Sequence, residues 1–307
     1  MTERRTNYNL EIIAGPCSAG PENIGELHQI ADMGTVSGVR VVGLKSRTDL
    51  NPTGEGMGID FDVINAQILQ PGIERDILPP SVEYARDLSK RGMLVATEVM
   101  LPEIQIPYYE GLIPKDKLLL WNPSVNQLGW QTMQTAQYAE RNGWAVGIKN
   151  GKALGSTLSE ANDPNHEGTS MEKAWTGLAA YAQSANEIIL IHRGVDVPEK
   201  GDYRNALVHE SARRAKKKVP GSKLYFDPSH SYGPKLRDQI IEDTIRTMAT
   251  RDGKGFLYDG ILIETGTSKT DTNQHISLEE LEAMTKELGT FRNLRTPEKV
   301  VFSSTSR

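Results

Sequence analysis

Residues 187–230 read EIILIHRGVDVPEKGDYRNALVHESARRAKKKVPGSKLYFDPSH, and this stretch decides the fold class. It contains two short apolar runs, residues 187–191 and 223–226, which are typical of buried strands. Between them, residues 203–218 have the pattern of a helix, and the last three are lysines, which favour the negative end of a helix dipole. A strand, a helix and a second strand in this order form the repeating unit of parallel α/β proteins.

Further apolar runs of the same kind extend in both directions from this stretch and alternate with longer amphipathic segments. Their continuous apolar character, rather than strict alternation, is typical of strands that are covered on both faces. Eight such strands alternating with helices predict a single-domain (β/α)8 barrel, or TIM barrel, with an open doubly wound sheet as the alternative. The other six runs are residues 10–14, 39–44, 93–99, 117–121, 144–148 and 260–263.

The predicted helices carry recognisable boundary signals. Residues 81–91 have apolar positions on one face and precede a glycine. Thr169 with Glu172, and Ser277 with Glu280, have the spacing of a capping box ahead of an apolar-periodic segment. These signals place helices between the predicted strands.

The predicted barrel spans residues 11–289, with a short extension at residues 1–10 and a polar tail at residues 290–307. Residues 51–80 form the longest stretch without a clear element. Their glycines predict a mobile loop over the site.

The composition excludes several classes of protein. Thirty-five Lys and Arg against 40 Asp and Glu give a net charge of −5, whereas nucleic-acid and membrane-surface binders are usually basic. The single cysteine cannot form an internal disulfide, which fits a reducing compartment. The first residues show no apolar signal segment, and no apolar run reaches the length of a membrane span. We therefore expect a cytoplasmic protein that binds neither nucleic acid nor membrane.

Polar residues follow the predicted strands where each strand ends, and the chemistry of such barrels lies at these carboxyl ends. A lone cysteine is more often core filler, and a lone charged residue is more often solvated; the concentration on one rim is what indicates a site. The segments are Pro16-Cys17-Ser18, Lys45-Ser46-Arg47-Thr48, Thr97-Glu98, Lys149-Asn150-Gly151, His192-Arg193-Gly194, Asp227-Pro228-Ser229-His230 and Glu264-Thr265.

One subset of these residues has the donor atoms of a metal site. Cys17, His230, Glu264 and the nearby Asp271 supply one thiolate, one imidazole and two carboxylates. This mixture suits Mn, Fe, Co or Zn, and the sulfur makes Mg or Ca a poor fit. The sequence therefore predicts a divalent metal cofactor of the first transition row.

A second subset is cationic and consists of Arg40, Lys45, Arg47, Lys149 and Arg193. Positive groups aimed at one cavity repel each other unless an anion is present, and guanidinium groups match the geometry of phosphate and carboxylate. Arg40 lies near the start of its strand, where it could instead form an ordinary surface ion pair.

These segments, in this order, resemble the synthases of 3-deoxy-D-arabino-heptulosonate 7-phosphate and 3-deoxy-D-manno-octulosonate 8-phosphate. The resemblance covers residues 11–288. It rests on Ala14-Gly15-Pro16-Cys17-Ser18, Lys45-Ser46-Arg47-Thr48, Thr97-Glu98-Val99, Ile191-His192-Arg193-Gly194, Asp227-Pro228-Ser229-His230-Ser231 and Ile263-Glu264.

The resemblance implies a role for each residue of the site. Phosphoenolpyruvate would be held by Arg40, Lys45, Lys149 and Arg193, and the aldose phosphate by Arg47 and Thr48. The metal ligands would be Cys17, His230, Glu264 and Asp271. Glu98 and Asp227 would act in acid–base chemistry or position water, and Lys45 could deliver a proton. Because metal-independent octulosonate synthases carry Asn at the position of Cys17, the resemblance is to the metal-dependent members.

The sequence departs from the family pattern at two places. Ser46 replaces the proline of the heptulosonate motif Lys-Pro-Arg-Thr, although the spacing still favours that branch over the longer octulosonate motif Lys-Ala-Asn-Arg-Ser. Many members also have Gly-Ala-Arg after strand four, where the arginine binds the phosphoenolpyruvate phosphate, and residues 121–127 contain no arginine. Such a loss would cost about 1.5–3 kcal/mol unless Lys152, or an amide of Asn122 or Asn126, compensates.

The expected reaction is attack of phosphoenolpyruvate C3 on an aldehyde, followed by addition of water at C2 and loss of phosphate. Erythrose 4-phosphate is the expected partner substrate, which would make this the first step of aromatic biosynthesis by the shikimate pathway. The alternatives are arabinose 5-phosphate or another aldose phosphate, and a catalytically silent barrel that only binds sugar phosphate or metal. We also expect a homo-oligomer, a dimer or a tetramer, with little feedback inhibition by aromatic amino acids.

Overall fold

The computed structural model describes residues 9–45, 57–69, 77–124 and 126–297. Eight parallel strands pair in chain order, and the last pairs with the first, so that the sheet is a closed barrel. The predicted (β/α)8 barrel is thereby confirmed, and the open sheet is wrong. The strands are β1 (Glu11–Gly15), β2 (Gly38–Arg40), β3 (Leu94–Glu98), β4 (Leu118–Trp121), β5 (Ala145–Lys149), β6 (Glu187–His192), β7 (Lys223–Phe226) and, after a short antiparallel hairpin of β8 (Arg251–Asp252) and β9 (Gly255–Phe256), β10 (Gly260–Glu264).

Helices connect the barrel strands. None of those in the described ranges has the length and apolar character that a bilayer crossing requires. The helices are α1 (Ile24–Asp32), α2 (Phe61–Leu69), α3 (Pro80–Lys90), α4 (Pro102–Gln105), α5 (Gly129–Asn142), α6 (Leu158–Asn162), α7 (Ser170–Tyr181), α8 (His209–Lys218), α9 (Pro228–Tyr232), α10 (Ile240–Met248) and α11 (Leu278–Leu288).

The apolar core has two layers, one on each face of the barrel sheet. Ile12 and Ala14 of β1 belong to the layer that includes the apolar helix residues, whereas Ile13 belongs to a second cluster with Leu119 and Leu262 of other strands. Because successive side chains of a strand point to opposite faces, both faces of each strand are buried. This double burial explains the continuous apolar runs in the sequence.

Strand β2 is shorter than the predicted strand at residues 39–44, because it ends at Arg40. The Val41 amide still donates to Ala96 of β3, but the next two carbonyl oxygens bond outside the sheet: that of Val42 accepts from the Ala19 amide and that of Gly43 from the Asp60 amide, each at 2.9 Å. Apolar character alone does not reveal which carbonyl groups leave the sheet.

Helix α8 begins at His209 rather than at residue 203. The preceding residues bond to another segment, since the Arg204 amide donates to the Tyr232 carbonyl oxygen at 3.1 Å. The segment before α8 therefore lies against α9 instead of extending the helix.

The predicted capping signals have different outcomes. Ser277 and Glu280 form a complete capping box at the start of α11. Thr169 accepts a hydrogen bond from the Glu172 amide, but the Glu172 carboxylate pairs with Arg214 at 2.5 Å instead of returning to the cap. The capping box at Ser277 is therefore confirmed, whereas the one at Thr169 has only the first of its two hydrogen bonds.

Residues 51–80 contain more regular structure than the sequence predicted. Helix α2 lies within this stretch, so the expectation of a stretch without elements is wrong there. Residues 51–56 and 70–76 lie outside the described residues, and the predicted mobility of the loop stays a prediction.

A buried charged cluster closes the amino end of the barrel. The Lys223 ammonium lies 2.9 Å from the Glu11 carboxylate, which also accepts hydrogen bonds from Tyr225 and Arg295. The Arg295 amide donates to the Leu10 carbonyl oxygen at 2.9 Å. The segment after α11 is therefore fastened beneath the barrel, opposite the end that carries the predicted site.

Candidate active site

The carboxyl ends of the barrel strands bring most of the predicted site residues together. Arg40, Glu98, Lys149 and Glu264 are the last residues of their strands. Arg47 and Thr48 lie outside the described residues, and Asp271 is half-buried. The buried members are Cys17, Arg40, Lys45, Glu98, Lys149, Arg193, Asp227, His230 and Glu264.

Arg40 is fully buried and pairs with a predicted metal ligand. Its Nη2 lies 3.1 Å from Oε1 of Glu264, which is also fully buried. The alternative of an ordinary surface ion pair for Arg40 is therefore wrong. Its Nε and Nη1 have no hydrogen-bond partner in the described part of the chain. A buried arginine that leaves two donor atoms unused is suited to an anionic ligand.

Glu98 is held by two donors, one on the segment after β2 and one at the end of β4. The Lys45 Nζ and the Trp121 Nε1 each lie 3.1 Å from its Oε2. Burial alone would raise the pKa of Glu98, but the charges of Lys45 and Lys149 lower it to about 2. Glu98 is therefore ionised at neutral pH and can accept a proton or orient a water molecule.

Asp227 orients His230 at the start of α9. The Asp227 carboxylate accepts hydrogen bonds from the His230 amide at 3.2 Å and from His230 Nδ1 at 3.0 Å, and its other oxygen lies 3.1 Å from Lys149 Nζ. Burial opposes the charge of Asp227, yet His230 and Lys149 hold its pKa well below the usual range. A proton on His230 Nδ1 leaves the Nε2 lone pair free, and Nε2 lies 3.7 Å from Glu264 Oε1.

Arg193 differs from the other buried cations because no carboxylate of the described residues lies within ion-pair distance of it. Its Nη1 donates to Ser124 Oγ at 2.7 Å, and its amide donates to the Asn150 side chain at 2.8 Å. Its Nε has no partner in the same part of the chain. Burial lowers the pKa of Arg193 to about 10. A buried positive charge without a counterion is stabilised by an incoming anion.

Three of the four predicted metal ligands converge. Ligand atoms of Cys17, Glu264 and Asp271 lie within 4.8 Å of one another, and His230 Nε2 approaches from the Glu264 side. The carboxylate–histidine pair of Asp227 and His230 is the usual arrangement behind a metal-binding imidazole. Burial, followed by the charge of Glu264, raises the pKa of Cys17 to about 12, so a thiolate there needs a cation beside it. The donor set thus fits a divalent first-row metal.

In the segment after β4, the side chain that contacts the buried Arg193 is not one of those that the sequence suggested. The Asn122 side chain accepts a hydrogen bond from the Lys149 amide at 2.9 Å and donates to the Asn126 carbonyl oxygen at 2.7 Å, so both ends are used by backbone. Lys152 is exposed, and its charge acts on Asp196. Ser124, which the sequence reasoning missed, is the residue of this segment that contacts the buried cations.

Trp121, Arg204 and Gln274 were also missed. The Trp121 ring centroid lies 5.6 Å from both the Arg40 guanidinium and the Lys149 ammonium, so the indole contacts two cations inside the barrel. The apolar pattern of β4 could have placed Trp121 in the interior, but no pattern in the sequence singles out Arg204 or Gln274. Their contacts depend on how loops fold.

Comparison with known proteins supports the fold. No protein-family model and no curated protein matches the sequence. The chain is similar to the solved structure of a phospho-2-dehydro-3-deoxyheptonate aldolase (DAHP synthase) from Thermotoga maritima, with a TM-score of 0.65 and 21% identity over 92% of this chain and 69% of that chain. It is also similar to a truncated 3-deoxy-D-arabino-heptulosonate 7-phosphate synthase from Thermotoga maritima, with a TM-score of 0.62 and 21% identity over 92% of this chain and 87% of that chain.

Proposed function

We propose that this chain is a metal-dependent transferase that condenses phosphoenolpyruvate with an aldose phosphate and releases inorganic phosphate. Erythrose 4-phosphate is the proposed aldehyde, which would place the reaction at the start of aromatic biosynthesis. Two lines support the proposal: the motifs at the strand ends, and the likeness in fold to two solved structures that are named as synthases of a 3-deoxyheptulosonate phosphate.

The observation that carries the proposal is the set of unused donor atoms on buried cations. Arg40 and Arg193 together leave three guanidinium nitrogens without partners among the described residues. Nearby, Lys45 pairs with Glu98 at the end of β3, and Lys149 is the last residue of β5. Phosphoenolpyruvate carries both a carboxylate and a phosphate, the two anions whose geometry matches guanidinium groups. A small dianion or trianion of this kind could accept hydrogen bonds from these unused donors.

The proposed metal would be held by Cys17, His230, Glu264 and Asp271. When bound, it would act as a Lewis acid that orients and polarises the aldehyde oxygen of the second substrate. A divalent cation would also compensate the buried carboxylates and favour the thiolate of Cys17.

The remaining steps belong to the side chains of the pocket. The four cations hold the enol phosphate while its C3 forms a bond to the aldehyde carbon, and Lys45 Nζ gives a proton to the oxygen that becomes a hydroxyl. Glu98, ionised beside Lys45, orients the water whose oxygen bonds to C2, and the bond between C2 and the phosphate oxygen then breaks to leave a ketone. Of the two protons of that water, one replaces the proton that Lys45 gave and the other leaves with the phosphate. Trp121 supports this arrangement by donating its indole hydrogen to Glu98.

The test is a phosphate-release assay with phosphoenolpyruvate and a panel of aldose phosphates, in the presence of Mn²⁺. We expect release to require both substrates and to be fastest with erythrose 4-phosphate. Arg193→Ala should lower the catalytic efficiency by at least about 10-fold, because it removes a charge-assisted contact, whereas Lys235→Ala on the exposed surface should not. Absence of release with every aldose phosphate would leave a silent binding barrel as the better account.

A further inference from the structure

Two residues outside the predicted set connect the carboxylates of the proposed metal centre. Arg204 Nη1 lies 3.1 Å from Asp271 Oδ2 and 2.5 Å from Gln274 Oε1. Gln274 in turn donates from its Nε2 to Oε2 of Glu264. The four side chains form one continuous network, with Asp271 at one end and Glu264 at the other.

The backbone holds Arg204 rigidly against the helix that carries His230. The Arg204 amide donates to the Tyr232 carbonyl oxygen at 3.1 Å, and the Asn205 amide donates to the Ser231 carbonyl oxygen at 3.0 Å. The Asn205 side chain also donates to the carbonyl oxygen of His230. One short segment therefore fixes α9 through its backbone and Asp271 through its guanidinium.

Asp271 needs such support because its own backbone is strained. It has a φ of 54°, in the left-handed region that residues other than glycine rarely adopt. Such strain persists only where the surroundings impose the conformation. Gln274 lies three residues later and is almost fully buried, so the network fixes the loop at both positions.

A cation beside a metal ligand has two opposite effects. Its charge repels a divalent ion and withdraws charge from the carboxylate, which weakens metal binding. Its hydrogen bond, however, fixes the orientation of the carboxylate and reduces the cost of ordering it when the ion binds. The connection through Gln274 to a second ligand favours orientation as the dominant effect, because a mere repulsive charge needs no such link.

We propose that Arg204 and Gln274 are positioning residues that hold the carboxylates of Asp271 and Glu264 convergent for a divalent cation, an inference that rests on the metal centre of the proposed function. The two roles of Arg204 make opposite predictions. If it positions Asp271, its removal weakens metal binding. If it only repels, its removal strengthens metal binding.

The experiment is calorimetric titration of the metal-stripped full chain with Mn²⁺ alone. We expect Arg204→Gln and Gln274→Ala each to raise the Kd for Mn²⁺ by about 10- to 100-fold, as is typical for outer-shell partners of metal ligands. Arg204→Lys, which keeps the charge but loses the planar donor, should recover part of the affinity. Lys235→Gln is the matched control, because Lys235 pairs with Asp202 on the exposed surface.

Thermal unfolding of the metal-free variants separates positioning from general damage. A midpoint close to that of the wild type, together with the weaker Mn²⁺ binding, supports the positioning role. If the wild type binds Mn²⁺ and Arg204→Gln binds it equally or more tightly, the positioning role alone is overturned. If the wild type binds no Mn²⁺ at all, both the metal centre and this inference are overturned.

Discussion

Arg193 has no carboxylate partner in the described ranges, and its guanidinium donates there to a hydroxyl group. Ser124 accepts a hydrogen bond from Arg193 Nη1 at 2.7 Å, in the segment where many of the synthases that the sequence resembles carry an arginine. A serine cannot replace the missing charge, but it can orient the guanidinium and donate its own hydroxyl hydrogen to a phosphate oxygen. Binding of phosphoenolpyruvate at the proposed site is therefore expected to depend on Ser124.

Ser124→Ala should raise the KM for phosphoenolpyruvate by about 10-fold and change kcat less, because the lost contact, worth about 1.5 kcal/mol, is present in the ground state and the transition state alike. Steady-state kinetics with both substrates varied measures this. Lys152→Ala, at an exposed position whose charge acts on Asp196, is the control and should leave KM unchanged. An unchanged KM in the Ser124 variant would show that this segment does not contact the phosphate.

Cys17 is the residue on which the proposed metal centre depends most. Cys17→Ser should weaken Mn²⁺ binding by more than the roughly 10- to 100-fold expected for an outer-shell partner, because it removes a direct ligand. The change replaces one atom, so the unfolding midpoint of the metal-free protein should move little. Chelation should abolish phosphate release in the wild type, and Mn²⁺ should restore it. Full turnover in a rigorously metal-free preparation would contradict the prediction.

At the scale of elements, Asp60 links the residues that follow β2 to the start of helix α3. Its carboxylate accepts the Ser81 amide at 2.9 Å and the Ser81 hydroxyl, and its own amide donates to the Gly43 carbonyl oxygen at 2.9 Å. Beside it, the Lys45 amide donates to the Met57 carbonyl oxygen at 2.6 Å. Lys45, which lies beyond the end of β2, therefore owes its position to the residues just before α2, which are in turn bound to α3.

Asp60→Ala should lower the free energy of unfolding by about 1–3 kcal/mol, because it leaves a buried amide and hydroxyl of Ser81 without an acceptor. Urea denaturation measures the change. Asp62→Ala, an exposed change in the first turn of α2, which Asp60 precedes, is the matched control and should stay within about 0.5 kcal/mol of the wild type. Equal stability of the two variants would show that the contacts of Asp60 with Ser81 do not stabilise the fold.

The elements and most of the pocket could be predicted because they follow from periodic patterns. Eight apolar runs determined the barrel, and closure of the sheet then placed Arg40, Glu98 and Glu264 on one rim, although their sequence separations are large. The end of β2 and helix α2 could not be predicted, because they depend on contacts such as Asp60 with Ser81. Contacts between loops, including Arg204 with Asp271, leave no periodic signal.

At the scale of the whole molecule, a pair of histidines, the fully buried His192 and the half-buried His209, makes stability depend on pH. The Val208 amide donates to His192 Nε2, which puts the ring proton on Nδ1, and that nitrogen donates to the Tyr258 oxygen at 2.8 Å. The Tyr258 hydroxyl then donates to His209 Nδ1 at 2.7 Å. The network requires both rings to be neutral. Burial lowers both pKa values, that of His209 to about 4.

The free energy of unfolding should therefore fall as the pH drops from 6.5 towards 4. In this range the unfolded chain, with an ordinary histidine pKa of 6.5, binds protons that folded His209 does not. The stabilisation from the neutral histidine network is fully present above pH 6.5. Below that, the free energy of unfolding falls by at most about 1.4 kcal/mol per pH unit for each histidine.

Urea denaturation at several pH values measures this slope. His209→Asn, whose side-chain oxygen can still accept from Tyr258, should reduce it by the share of one histidine. His166→Asn, in a turn where the ring accepts from the Gly168 amide, is the control. An identical slope in the wild type and the His209 variant would contradict the assignment.

The segment after α11 is bound to the amino end of the barrel, and this has a consequence for the order in which the strands can follow each other along the chain. Leu10 and Leu294 lie side by side, so the polypeptide enters and leaves the barrel at the same place. The barrel could therefore be circularly permuted: a short linker would join these two points, and the chain could be cut at Gly253 in the exposed turn between β8 and β9. In that rewired chain the pairing of β10 with β1, now the most distant in sequence, becomes a local contact, and the pairing of β10 with β7 becomes the distant one. Because the long closing loop is exchanged and not removed, the permuted barrel is expected to fold at a rate close to that of the natural one.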